Sequence, residues 1–226
     1  MALLVYNSGE CEVLVRDDFL NKLGQCQDII YCDEVQKHDC YAIRKLHASK
    51  FVPRVVVDIG AQIGTLSMMV AKYWPDAQIF CYEPVPAQCR ILRRNVPQAN
   101  CRETAVIGFY GKEDSNDVHK CVYHVHDPEL PYRERKRIGV SVEELLANDT
   151  LTSIDFMKLD CEECEVNILR ELETLGRLKD IDVIHGEWHG PAARQDIVAR
   201  LSKTHNIDLP LRFPEQKGGV WFAKRR

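Results

Sequence analysis

Apolar positions recur along the chain with two different periods. Short β-branched and aromatic runs at "RVVVDIG", "AQIFCYEP", "NCRETAVIG", "SIDFMKLD", "DIDVIHGEW", "NIDLPLRF" and "GGVWFAKR" read as strands. Helical spacing falls between most of them, at 63–73, 86–95, 141–148, 162–175 and 191–203. Five strands separated by helices predict right-handed crossovers and a mostly parallel sheet covered by helices on both faces. The last two strands are joined through "PEQKG", too short for a crossover helix. They are expected to form an antiparallel hairpin at one edge of a seven-stranded sheet, with the seventh strand inserted beside the fifth.

Ahead of this alternation, "ALLVYNSGECEVLVRD" is two strand-like runs around Asn7-Ser8-Gly9, a hairpin signal. Val35, Cys40, Ile43 and Leu46 then recur at helical spacing, so residues 1–50 are expected to form a small hairpin-and-helix cap on a domain spanning 51–226. Residues 109–139 break the rhythm: they are polar, charged and long for a connection, which marks either a functional lid or a disordered loop, and they are the candidate cover for the substrate.

Composition narrows the class without naming it. With 226 residues, 30 basic and 34 acidic, the net charge is -4, and no global positive field would gather nucleic acid or anionic lipid. The basic run "YRERKR" (Tyr132–Arg137) reads as a solvated loop. No apolar stretch reaches the roughly 20 residues of a membrane span, and "MALLVYNSGECEVLV" lacks a signal peptide's basic start and cleavage site. The expectation is a soluble, cytoplasmic protein with a small-molecule acceptor, no nucleic-acid partner and no membrane partner. The 10 cysteines lie mostly in apolar or periodic segments, which points to reduced thiols.

In an open parallel sheet a ligand binds beyond the carboxyl ends of the strands, where strand order reverses. Asp58-x-Gly60-x-x-x-Gly64 lies there, with glycines for a tight turn and a close helix start and with backbone N–H groups expected to face the ligand. This is not the G-x-G-x-x-G of a dinucleotide fold. An acid at the strand end would repel a pyrophosphate and suits a cationic, amino-acid-bearing ligand, S-adenosylmethionine. Glu83 closes the next strand in "CYEP", where a carboxylate can accept both ribose hydroxyls. The competing reading is a plain strand-helix turn with a surface Glu.

Strands four and five end in "MKLDCEECEV" and "IHGEWHG", so Asp160, Glu162, Glu187 and His189 are expected to converge as the catalytic group. Alternatively, Glu162 and Glu165 simply favour a helix N-terminus and Glu163 is solvated. His189 is the best base by intrinsic pKa, held by Glu187 or Asp160, while Lys158 points to the opposite face or pairs with an acid. The same four side chains could hold Mg²⁺, Mn²⁺ or Ca²⁺, although no resident metal is assigned. Cys121-x-x-His124-x-His126 with His119 could bind zinc and Cys161-x-x-Cys164 could be redox-active, but they are read as polar surface and ordinary thiols.

"VVVDIGAQIGTLS", "FCYEPVP", "SVEELL" and above all "IDFMKLDCEECEVNILREL" followed by "VIHGEWH" resemble the FkbM family of S-adenosylmethionine-dependent methyltransferases, and "HDCYAIRKL" looks like the helix that precedes them. The resemblance covers residue 39 to about 190 and departs at Gln62, where asparagine is common, and at Glu163, which replaces a glycine. It implies a class I Rossmann-like methyltransferase fold and a cofactor set of Asp58, Gly60, Ala61, Gly64, Glu83, Pro84, Ala105 and Asp160. The implied activity is methylation of a hydroxyl on a small metabolite or sugar. An N-methyltransferase is the nearest rival; an RNA methyltransferase and a non-catalytic binding module are further alternatives.

Overall fold

Runs such as Val55-Val56-Val57 cannot hide their side chains in a two-sided strand unless both faces are covered, and in the computed structural model both are. The structure describes residues 3–17, 20, 24–108, 122–124, 136–161, 164–209 and 218–226. A hairpin of β1 (Leu3–Asn7) and β2 (Glu12–Arg16) leads to α1 (Gln27–Cys32) and α2 (Ile43–Ala48). There follow β3 (Val55–Ile59), α3 (Thr65–Tyr73), β4 (Gln78–Tyr82), α4 (Pro86–Asn95), β5 (Asn100–Arg102), β6 (Val122–His124), β7 (Lys136–Ile138) and α5 (Val142–Asn148). The chain continues through β8 (Ile154–Leu159), α6 (Glu165–Thr174), β9 (Ile181–His189), α7 (Pro191–Leu201), β10 (His205–Asp208) and β11 (Gly218–Arg225).

Seven strands form one sheet in the order β10-β11-β9-β8-β3-β4-β5. The pairs β9-β8, β8-β3, β3-β4 and β4-β5 are parallel, while β11 runs antiparallel to both β9 and β10. This is the expected topology, with the seventh strand of the sheet beside the fifth. Strand order reverses at β3, which places the crevice at the carboxyl ends of β3 and β8.

Alternation along the strands sorts the core into two layers. Val56, Phe156 and Val183 pack with Leu66, Met69 and Val70 of α3, and Tyr41 and Ile43 of the N-terminal segment join the same layer. Val57, Met157, Leu159 and Ile184 face Leu145 of α5, Ile168 and Leu172 of α6 and Ile197 of α7. Val13 and Val15 of the hairpin pack on Ile63 and Ile91, so the N-terminal segment is continuous with the core around α3 and α4.

Two expected elements differ. The single N-terminal helix is broken: α1 passes into a π-helical turn, Asp33–Lys37, and restarts only at Ile43. Asp39 and Ala42 adopt φ of 52° and 58°, and the Arg44 guanidinium donates to the carbonyls of Gln36 (2.7 Å) and Lys37 (2.9 Å), taking over acceptors that a continuous helix would use. The third strand stops at Arg102, because it is an edge strand and the chain bends at Glu103 and Thr104. Of the expected lid, only the backbone ribbon β6–β7 falls among the described residues, and the remainder of 109–135 lies outside them. Among the described residues no helix is long and apolar enough to cross a membrane.

His185 sits at the middle of β9, between the rings of Tyr41 (centroids 5.2 Å apart) and Phe222 (5.7 Å). Burial lowers its pKa from the ordinary 6.5 to about 3, and its Nδ1 has no hydrogen-bond partner. The unfolded chain therefore takes up a proton below pH 6.5 that the folded one refuses, and stability falls as pH drops from about 6.5 towards 3. His185→Phe is expected to remove up to about 1.4 kcal/mol of destabilisation per pH unit in this window. Urea denaturation of both proteins at pH 7.5, 5.5 and 4.5 checks this: a stability difference that does not change with pH would show that His185 does not titrate on unfolding.

Candidate active site

The loop between β3 and α3 is shaped by what can fit beneath β8. Gly60 has φ 77°, and a Cβ there would lie 1.8 Å from the carbonyl oxygen of Asp160. Only glycine allows the two loops to cross at this distance. Gly64, φ 89°, starts α3 where a Cβ would come within 3.0 Å of Val96 Cγ2. The N–H groups expected to face a ligand are used inside the protein instead: Gly60 and Ala61 donate to the Tyr82 carbonyl (2.9 and 3.1 Å), Gln62 to Glu83 Oε2 (2.9 Å) and Gly64 to the Ala61 carbonyl (2.8 Å). The loop is tied to the end of β4 before any ligand arrives.

Glu83 is almost fully buried and accepts from the N–H groups of Gln62 and Val85 (2.7 Å). Burial raises its carboxyl to about 7 against those two donors and the more distant Lys158.

Below the loop lies a charged centre. Lys158 is buried, and its ammonium donates to the Gly60 carbonyl at 2.6 Å and the Ile59 carbonyl at 3.3 Å. It also stands 3.4 Å from Asp58 Oδ1 and 3.7 Å from Asp160 Oδ2. Burial alone would depress the ammonium, but Asp58 and Asp160 hold it above its usual range. Asp58 takes a 2.7 Å hydrogen bond from the Ser67 hydroxyl on Oδ2. The Tyr41 hydroxyl donates to Asp160 Oδ2 at 2.8 Å, and burial followed by the charge of Asp160 keeps that phenol protonated.

These groups line a cleft of about 200 Å³ at the carboxyl ends of β3 and β8. Of the residues singled out in the sequence, Asp58, Gly60, Ala61, Asp160 and Glu187 line it. Gly64 packs instead against α4, while Glu83 and Pro84 follow β4 one hydrogen bond away through Gln62. Ala105 lies beyond β5 and accepts from the Val140 N–H at 2.8 Å. His189 ends β9 opposite Gly218, with only its backbone described, and Glu162 and Glu163 lie outside the described residues. The expected convergence of four catalytic side chains is therefore described for Asp160 and Glu187 alone.

Glu165 Oε1 accepts the Cys161 N–H at 2.9 Å, the helix-start role weighed for it, and the nine described cysteines, Cys161 and Cys164 included, are free thiols. Of the alternative zinc set, Cys121, His119 and His126 lie outside the described residues. Among the described residues no group of three or more His, Cys, Asp or Glu is placed to hold a metal ion.

The cleft also takes residues that strand-end reasoning missed. Tyr31, Glu34, Cys40 and Tyr41 come from the N-terminal segment, more than 100 residues before Asp160 in the chain. For Cys40 and Tyr41 the one signal in the sequence was "HDCYAIRKL", whose reading as a continuous helix gave no reason to aim Tyr41 at the strand ends; Tyr31 and Glu34 lie ahead of that stretch. Lys158 pairs with acids, the second of its two expected placements, and does so at the centre of the site.

Comparison with known proteins follows the same lines. The Methyltransferase FkbM domain matches residues 58–212. "Methyltransferase sdnD" of Sordaria araneosa is 35% identical over 63 residues, 28% of this chain and 23% of that protein, so the chain spans under a quarter of that relative's length. "Methyltransferase 1" of Beauveria bassiana is 23% identical over 191 residues, 72% of this chain and 75% of that one. Among solved structures, a putative O-methyltransferase from Klebsiella pneumoniae superposes with TM-score 0.51 at 11% identity, covering 84% of this chain and 80% of that one. Magnesium protoporphyrin IX methyltransferase from Synechocystis PCC 6803, solved with bound SAM, gives 0.50 at 12% identity over 90% and 86%. At these identities the structural likeness establishes the fold, that of class I methyltransferases.

Removing Lys158 leaves Asp58 and Asp160 facing each other and two loop carbonyls without a donor. Lys158→Met is expected to destabilise the protein by about 3–5 kcal/mol, and adding Asp58→Asn should restore part of that loss. Chemical denaturation of the single and double variants measures it; additive effects of the two substitutions would show that the residues are not coupled.

Proposed function

Because this chain belongs to the FkbM methyltransferase family, we propose that it transfers a methyl group from S-adenosylmethionine to a hydroxyl of a small metabolite or sugar. The observation that carries the reading is the crossing of the Asp58–Gly64 loop beneath Asp160, which opens one cleft at the reversal of strand order beside the buried Glu83.

The residues present suit this cofactor. Glu83 accepts one N–H on each oxygen, Gln62 on Oε2 and Val85 on Oε1, which leaves a carboxylate with lone pairs for ribose hydroxyls, and Asp58 Oδ1 is a buried oxygen that accepts no hydrogen bond. When bound, S-adenosylmethionine supplies a methyl group activated by a sulfonium. In this proposal Asp160, positioned by Tyr41 and Lys158, orients the acceptor, and His189 takes its proton with Glu187 beside it on β9. Holding the acceptor in line with the methyl can supply roughly 7–11 kcal/mol through orientation. The net charge of -4 supports a small acceptor rather than a nucleic acid.

Two outcomes test this. Ribose hydroxyls donate best to an ionised carboxylate, and the Glu83 carboxyl of the free protein sits near 7, so binding expels a proton at lower pH. The affinity for S-adenosylhomocysteine is expected to rise as much as tenfold per unit up to about pH 7 and to level off above about 8. Calorimetry in two buffers of different ionisation enthalpy reads the proton release directly, and an affinity flat from pH 5.5 to 8 would remove Glu83 from the ribose site. For the base, His189→Gln should keep that affinity within a few-fold while turnover falls by roughly 10²–10⁴; an unchanged rate would mean that His189 takes no proton.

A further inference from the structure

The cofactor and the strand-end pairs leave one carboxylate of the cleft without a role. Glu34 sits on the π-helical turn Asp33–Lys37, lines the cleft and is exposed to solvent at its rim. Such turns are rare and fall frequently at functional sites. Desolvation and then the charge of Asp160 raise its pKa, with His38 the nearby base that opposes them. Its carboxylate has no hydrogen bond or ion pair among the described residues.

Deeper in the same cleft, the fully buried Asp58 presents Oδ1, which accepts no hydrogen bond and whose counter-charge is the Lys158 ammonium 3.4 Å away. A buried carboxylate oxygen without a donor, on the wall of a cleft, calls for a partner, and a bound ligand can supply one. The charges can be followed through. Asp58 and Asp160 share the single ammonium of Lys158, leaving one negative charge. S-adenosylmethionine, with its sulfonium, ammonium and carboxylate, carries one net positive charge and offsets it, while the Glu83 carboxylate formed at the ribose adds only to the negative side. Glu34 then remains uncompensated; Glu187 makes contacts of its own and does not enter the count.

We propose that the methyl acceptor is a cation, a hydroxylated amine of the amino-alcohol or amino-sugar class, whose ammonium is held at the rim by Glu34 while its hydroxyl enters the cleft. The inference rests on the cofactor reading above. Tyr31 brings an aromatic ring to the same cleft, a favourable neighbour for an ammonium. An ammonium paired with a carboxylate keeps its lone pair protonated, so the reacting atom is the oxygen.

A metabolite extract separated at pH 7 into cation-exchange-bound, anion-exchange-bound and neutral fractions, each assayed with methyl-labelled S-adenosylmethionine and the full chain, tests this. Acceptor activity is expected in the cationic fraction, with the methyl on oxygen. Glu34→Gln should raise KM for that fraction about fivefold, Glu34→Lys should raise it further, and both should bind S-adenosylhomocysteine as the wild type does. Failure of the wild type to bind S-adenosylhomocysteine would remove the cofactor reading and this one with it. If it binds, then acceptor activity absent from the cationic fraction, a methyl found on nitrogen, or a KM indifferent to both Glu34 variants overturns the present inference alone.

Discussion

At the centre of the sheet, the carbonyl oxygen of Asp160 lies where a side chain on residue 60 would begin, so the loop leaving β3 passes beneath the loop leaving β8 only as glycine. That crossing is held by one ammonium. Lys158, rising from β8, donates to the carbonyls of Ile59 and Gly60 and stands between the carboxylates of Asp58 and Asp160. A charge buried this deeply is tolerated only with its counter-charges and acceptors in place, and here they are the walls of the cleft. The geometry of the site and the stability of the central strands therefore depend on the same contacts.

From that centre the order spreads outward through hydrogen bonds that fix loops rather than strands. Tyr82 accepts from the N–H groups of Gly60 and Ala61, and Glu83 from those of Gln62 and Val85, so the loops leaving β3 and β4 form one unit. Tyr41 reaches Asp160 from the N-terminal segment because the helix there is broken and reset at Asp39 and Ala42. This segment, expected as a cap, contributes a wall of the cleft and part of the core.

Where function is proposed, electrostatics sets its terms. Burial brings the Glu83 carboxyl close to neutrality, and the paired acids around Lys158 leave a net negative cleft that favours a cofactor of net positive charge. Glu34 at the rim extends the same preference to the acceptor. Both readings follow from counting charges against their partners within one small volume.

Much of this was legible in order along the chain. Apolar periodicity located the seven strands and five following helices of the main sheet, because a strand covered on both faces and a helix covered on one need different spacings. The short "PEQKG" connection placed the last strand antiparallel, and Asp58-x-Gly60-x-x-x-Gly64 with Glu83 marked the strand ends because glycine and a terminal acid are local necessities there. What only the tertiary structure decided were the partners. That Lys158 faces the cleft, that Glu34 and Tyr41 belong to it, and that the N–H groups of the glycine loop are already spent on Tyr82 and Glu83 depend on which segments meet across separations from 21 to 119 residues of chain. Local patterning determines which elements form, since that is a matter of spacing along one segment; a site is made of contacts between segments, and those exist only once the sheet has closed.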